Sequence, residues 1–414
     1  MSSEFKNVDL INDTRVSVSE ITKKFSLRGE TSPRQVYRIP LELLHYNSKN
    51  GRISTLISKW ESENGYSINN LELEQYNDTI ENYIIKSNKI AFDRTKKSIE
   101  NISQREAGVV LNDGCIIDGN RRYTCLRKLY EETSNPKYAY FEAVILDSTV
   151  STDEKEIKRL ELELQHGQDE KVSYNPIENL IDVYKTCEEE KLLTTKEYAD
   201  NINKSESEVK KYLEQAKIII DFLDYIGATG KYYMAVDLQL DASVFEIYNI
   251  KQKIEDEETW EKAKIMLYDN MLAKSKADIK EVMRDIKKII NSDFFEECYE
   301  EHRKISKPLE NLLKSTDDID TPFVINEIRS NEVLKKNMLD NVEEYKGKKS
   351  KDDLQKEPIR KMENIVEILE KIDQEALEYM SKDDKNNFAE LFNKSKIKMN
   401  EIERVLDEII WFEN

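Results

Sequence analysis

Proline, glycine, cysteine and histidine are all scarce in this 414-residue chain, at 7, 10, 4 and 3 residues. So few chain-breaking residues give the profile of a soluble, helix-rich protein. The four cysteines (Cys115, Cys125, Cys187, Cys298) and three histidines (His45, His166, His302) are scattered. None forms a C-x-x-C or H-x-x-x-H pair, so a zinc site is not indicated, and spread-out thiols in a reducing compartment stay free. Nothing signals a Cys-His or Ser-His-Asp nucleophile. Positive charge is also short: 64 Lys and Arg stand against 83 Asp and Glu, a formal net charge of −19. Such a chain repels polyanions, and any nucleic-acid contact must come from a local basic patch. No apolar run approaches the ~20 residues that span a bilayer. The opening MSSEFKNVDL lacks a signal peptide's apolar core, so the expectation is a cytoplasmic protein with no membrane contact.

What the chain does have is the stretch GCIIDGNRRYTCLRKLY. A short apolar run, Cys115 to Ile117, meets Asp118 and Gly119, then Asn120, Arg121 and Arg122, and then a helical pattern. A strand feeding through Asp-Gly into a helix aims free backbone N–H groups, a positive dipole end and two guanidinium groups at one point. That corner suits a phosphate. The alternative is a plain tight turn with both arginines solvated or paired to carboxylates.

The order of elements predicts an α+β chain in three parts. Residues 1–148 read as a small mixed-sheet domain. Strands are expected at Val36 to Ile39, Gly108 to Leu111, Cys115 to Ile117 and Tyr140 to Leu146, with helices at Asp93 to Ile102 and Tyr123 to Glu132. Asn112-Asp113-Gly114 between two apolar runs signals a hairpin. Residues 149–235 read as helical, with Asn175-Pro176-Ile177-Glu178 a clean helix start. A helix-turn-helix follows: Thr195 to Ile202, a turn at Asn203-Lys204, then Ser205 capping a helix from Glu206 to Lys217. Residues 236–414 read as long amphipathic helix. One apolar stripe runs from Ile359 to Ile372 and another from Ile397 to Ile410, fitting an intramolecular core or a dimer seam. The polar stretch Tyr345 to Lys356 reads as a mobile connector.

The glycine-arginine corner, the Asn-Pro-Ile-Glu helix start and the helix-turn-helix, in that order, resemble the ParB family of chromosome and plasmid partition proteins over about Val36 to Gly227. The resemblance implies a ParB/sulfiredoxin-like N-terminal domain that grips a nucleoside triphosphate, CTP or ATP, with Mg²⁺. Gly119, Arg121 and Arg122 match the family's G-x-R-R box, with Asn120 in the variable slot. Asn47 and Arg52 match the ends of its N-x-x-x-x-R loop, although Ser48, Asn50 and Gly51 replace the usual prolines and glutamine. Asp118 would brace the turn or contact a hydroxyl. The E-N-x-x-R box is poorly matched by LELELQHGQDEKVSYNPIE. Glu163 is the best substitute for its catalytic, metal-positioning acid. The alternation of Leu160, Leu162 and Leu164 with Glu161 and Glu163 equally suits a half-buried strand.

By the same resemblance the protein would be a nucleotide-binding switch that hydrolyses slowly or not at all, with DNA as a partner and a homodimer as its state. The helix that would read DNA opens Ser205-Glu206-Ser207-Glu208, which costs affinity; Lys204, Lys210 and Lys211 recover some. A purely structural three-helix unit is the alternative. The acidic C-terminal helices would serve assembly or recruit another protein. IDGNRRYTCL also resembles the nucleotide-binding half of modification-dependent restriction factors, so the alternative function is a nuclease or nuclease subunit in phage defence or a mobile element.

Overall fold

The computed structural model describes residues 8–27, 30–51, 53–146, 154–166, 175–274 and 276–413. Its N-terminal part is built on a six-stranded mixed sheet: β1 (Ser17–Leu27), β2 (Glu30–Pro40), β3 (His45–Tyr46), β4 (Gly108–Leu111), β5 (Cys115–Asp118) and β6 (Tyr140–Leu146). Their spatial order is β1-β2-β6-β4-β5-β3. β4 and β5 form the expected hairpin across Asn112-Asp113-Gly114, where Gly114 takes φ +91°. A side chain there would strike the Leu43 carbonyl, so the turn needs glycine twice over. β3 pairs with β5, and β4 with β6, in parallel.

The period-2 rule sorts the strand residues onto two faces. Val110, Ile116, Phe141 and Ala143 face a core roofed by α1 (Ser54–Asn64), α2 (Leu73–Ser87), α3 (Lys89–Ile102) and α4 (Asn120–Thr133). Val109, Leu111, Ile117 and Val144 face the other way, toward Leu160. Leu160 belongs to α5 (Glu154–His166). The strand expected from the Leu160-Leu162-Leu164 alternation is therefore a helix. The alternation has a physical cause: Leu160 joins the sheet core, while Leu162 joins a second core with Tyr198, Val209 and Leu213. A helix clamped between two layers buries two faces, which blurs the 3.6-residue period.

The chain then becomes helical: α6 (Pro176–Tyr184), α7 (Thr195–Asn201), α8 (Glu206–Tyr225), α9 (Tyr233–Asp237), α10 (Asp241–Lys251), α11 (Glu257–Ala273), α12 (Lys276–Ile290) and α13 (Phe295–Lys314). The predicted caps are all present. Asn175 accepts from the Ile177 amide with Pro176 at the helix start, and Ser205 and Glu208 close a reciprocal capping box at the head of α8. α8 runs on to Tyr225 because Ile218, Ile219, Phe222 and Leu223 bury into the large helical core.

Two compact units divide the chain, 1–346 and 347–414, and the boundary falls inside α14 (Glu332–Glu370). The connector expected at Tyr345 to Lys356 is continuous helix. Pairs of Lys349 with Asp353 and Lys356 with Asp352, at 2.8 and 2.9 Å, line it at i,i+4 spacing. Such pairs support helix in a stretch where only Tyr345 reaches the core and Leu354 is exposed, and a single Gly347 costs only about 1 kcal/mol. The second unit continues with α15 (Gln374–Glu378) and α16 (Lys382–Glu413). Its apolar stripes are not an intramolecular core: Ile359, Val366, Ile402, Leu406 and Ile409 are each about half exposed or more. Among the described residues, no helix is long and apolar enough to cross a membrane.

Candidate functional site

β3 and β5 lie side by side in parallel, His45 opposite Cys115 and Tyr46 opposite Ile116. The chain therefore leaves both strands at the same end of the sheet. Loop 47–51 follows β3, and the Asp118-Gly119 corner follows β5. This register unites two segments 70 residues apart in sequence that both carry expected phosphate-binding residues. Ligands gather in the crevice beyond the carboxyl ends of parallel strands. The Tyr46 hydroxyl ties the segments together, 2.8 Å from Thr124 Oγ1 on the first turns of α4.

At the corner, Gly119 takes φ +102° and opens α4 with no side-chain cap. The first amides of a helix have no intrahelical partner, and the first bond within α4 runs from the Tyr123 amide to the Gly119 carbonyl. Asn120 is 8% exposed, and its buried Oδ1 has no hydrogen-bond partner. A buried amide oxygen without a donor is rare enough to require a reason. Arg121 is half-buried.

Arg122 is committed elsewhere. Its Nη2 lies 2.9 Å from Asp118 Oδ2 and its Nη1 3.3 Å from Glu106. Lys23 of β1 adds a second cation 3.1 Å from the same Asp118 oxygen and donates to the Ala107 carbonyl. Burial pushes the Asp118 carboxyl up, but Arg122 and Lys23 outweigh it and hold the group below its ordinary value. Asp118 thus braces the turn. A Cβ on Gly119 would lie 2.8 Å from the Phe141 ring and 3.1 Å from Arg122, so that side of the glycine is filled. An anion at this corner meets the helix amides first, with Arg122 already neutralised.

In the loop, Asn47 is buried and its Oδ1 accepts from the Lys49 amide at 2.9 Å, an Asx turn that shapes the loop. Arg52 lies outside the described residues. The acid facing the loop is Glu161, whose Oε1 accepts from the Gly51 amide at 3.4 Å. Gly51 also packs so closely on Asp182 of α6 that a Cβ would fall 2.5 Å from its Oδ1. Lys158 completes the cluster, 2.6 Å from Asp182 and 3.5 Å from Glu161, and the Tyr198 hydroxyl donates to Asp182 at 2.8 Å. All four of these side chains are almost fully buried. Lys158, Asp182 and Tyr198 were missed in the sequence, where a Lys158/Glu161 pair at i,i+3 becomes visible only if the stretch is taken as helix.

Glu163, two residues beyond Glu161 and half-buried on another face of α5, has its carboxyl pushed up by burial and by Glu156, with Arg159 opposing. Among the described residues, no three His, Cys, Asp or Glu side chains meet in a way that could hold a metal ion.

The lysines placed on the helix-turn-helix have local partners. Lys204 lies 3.1 Å from Glu208 and Lys210 2.9 Å from Glu206. Lys211 sits over the rings of Phe245 and Tyr248 of α10, at 5.1 and 5.6 Å. The Lys204 and Lys210 pairs are exposed to solvent and exchange readily, while Lys211 is turned into a helix-helix contact.

No protein-family model, curated protein or solved structure matches the chain.

Proposed function

We propose that the N-terminal sheet domain is a ParB-like nucleotide-binding switch, taking a nucleoside triphosphate such as CTP or ATP beyond the carboxyl ends of β3 and β5. The observation that carries this is the shared exit of loop 47–51 and the uncapped head of α4 from two parallel strands. Amides at a helix start favour phosphate oxygens. The unpartnered Asn120 Oδ1 asks instead for a donor, and a nucleotide brings hydroxyls as well as oxyanions.

The switch follows from where loop 47–51 is docked. Its far side rests on Glu161 and Asp182, on helices that lead into the helix-turn-helix. A ligand that binds one loop position better than another shifts the sheet domain relative to α5 and α6 by its differential affinity. Magnesium would arrive with the phosphates, which commonly supply its ligands alongside one or two carboxylates. DNA as the partner has weaker support, because Lys204, Lys210 and Lys211 are locally engaged.

Thermal melts with each common nucleoside triphosphate and Mg²⁺, against the matching nucleosides, test the reading. At about 100-fold excess over Kd, one triphosphate is expected to raise Tm by about 5 °C. The nucleoside should not, and the shift should vanish in Arg121→Ala and shrink in Asn120→Ala. No shift with any triphosphate overturns the reading.

A further inference from the structure

We propose that Lys23 and Arg34, side by side on the β1–β2 ribbon, form an oxyanion site that takes one phosphate group and holds the ribbon at the Asp118 corner.

The register places the two cations together. Lys23 and Arg34 are direct partners in the antiparallel pair of β1 and β2, so their side chains rise from the same face. Like charges directly opposite one another destabilise a strand pair, and burial sharpens the conflict by removing the water that would screen it. Lys23 is only 15% exposed and Arg34 is half-buried. An anion between the two turns that repulsion into attraction.

The protein's own acids do not fill this role for Arg34. Asp118 already answers two cations through one oxygen, Lys23 at 3.1 Å and Arg122 at 2.9 Å. Glu106, with 61% of its side chain exposed, meets Arg122 at 3.3 Å. Among the described residues no carboxylate pairs with Arg34, and its buried Nε has no hydrogen-bond partner. A buried N–H without an acceptor costs free energy until one arrives.

Charge and shape select the ligand. Between residues 17 and 40 five Lys and Arg stand against two Glu, in a chain of net charge −19, so this ribbon draws anions that the rest of the surface repels. A guanidinium fork matches two oxygens of a phosphate, and an ammonium adds a point charge beside it. A phosphate group carries about −1.5 to −2 at neutral pH, enough to answer both cations.

The ribbon is the element that would respond. β6 covers β2 only from Tyr37 to Pro40, so at Arg34 the sheet has narrowed to two strands, a unit with little stability of its own. Lys23 ties it to the rest of the domain through Asp118 and the Ala107 carbonyl. A phosphate shared by Lys23 and Arg34 removes the repulsion inside the ribbon and holds it in this register.

Thermal melts of the full chain test this, with sodium phosphate titrated against NaCl at constant ionic strength. At about ten-fold excess over Kd, the wild-type Tm is expected to rise by about 2 °C. Arg34→Gln should show no rise, and in phosphate-free buffer it should melt at or above the wild type, because one of two facing cations is gone. Arg34→Lys keeps the charge without the fork and should keep a smaller rise. No rise in the wild type, an equal rise in Arg34→Gln, or an Arg34→Gln that melts below the wild type without phosphate overturns the proposal. The same melts with a nucleoside triphosphate separate the sources. A triphosphate shift that falls in Arg34→Gln assigns the phosphate to the nucleotide, and an unchanged one assigns it to free phosphate. Inorganic phosphate needs no nucleotide, so a chain that ignores every triphosphate still tests this site.

Discussion

Asp118 shows how one side chain changes the meaning of its neighbours. Two arginines after a glycine suggest an anion vacancy, yet Asp118 turns Arg122 back on the corner and draws in Lys23 from β1. The ion cluster locks an edge strand to the head of α4, and its carboxylate is charged because two cations hold it so. Replacing it as Asp118→Asn keeps the shape and leaves Arg122 and Lys23, at 19% and 15% side-chain exposure, short of a counter-charge. Removing one member of a buried pair costs about 3 kcal/mol, and denaturant unfolding at pH 7 should show that loss. The sign of the pH dependence follows from the lowered pKa. A carboxyl depressed in the folded state contributes its stability above the unfolded value, about 3.9, and loses it as pH falls through the folded value. The wild type should lose stability more steeply than Asp118→Asn below about pH 4, and the two curves should converge there. Parallel curves from pH 7 down to 3 would show that the cluster holds no differential charge.

At the level of elements, legibility tracked how locally each one is determined. The β4–β5 hairpin, the Asn175 and Ser205 helix starts and β6 were plain in the sequence, because a turn dipeptide, a cap or an alternating apolar run carries each within a few residues. β1 left no such mark: Val18 and Ile21 are exposed on an edge strand, and its pairing with β2 decides its structure. α5 misled for the opposite reason, being buried on two faces, and with it went the identity of the acid facing loop 47–51. Glu163 is the more obvious carboxylate in sequence, whereas Glu161 reaches the Gly51 amide. The Asn47, Gly119 and Arg122 positions were legible, but their partners were not, since Phe141, Lys23 and Glu106 come from other elements. The α5 cluster gives this scale its prediction. Lys158→Met takes from the buried Asp182 its cation at 2.6 Å, and unfolding should show a loss of about 3–5 kcal/mol. An unchanged midpoint would mean that Asp182 is compensated without Lys158.

For the whole molecule, two opposing forces would set the self-association expected from the sequence. Each copy carries a formal charge of −19, so approaching copies repel, although residues 347–414 contribute only −4 of it, from 13 Lys and Arg against 17 Asp and Glu. The attraction is apolar area, which salt does not screen, whereas the repulsion between distant charges is cut off beyond about 10 Å at 0.1 M salt and about 3 Å at 1 M. Raising NaCl from 50 mM to 500 mM should therefore tighten the dimer, read as a fall in its dissociation constant by sedimentation equilibrium. An interface built from ion pairs does the reverse, because screening removes its attraction as well. Weakening with salt would accordingly place the binding energy in charged contacts rather than in the apolar stripes of residues 347–414. The unfolding transition of residues 1–346 should move less over the same range, since the buried core that it exposes ends at Tyr345, before these stripes begin.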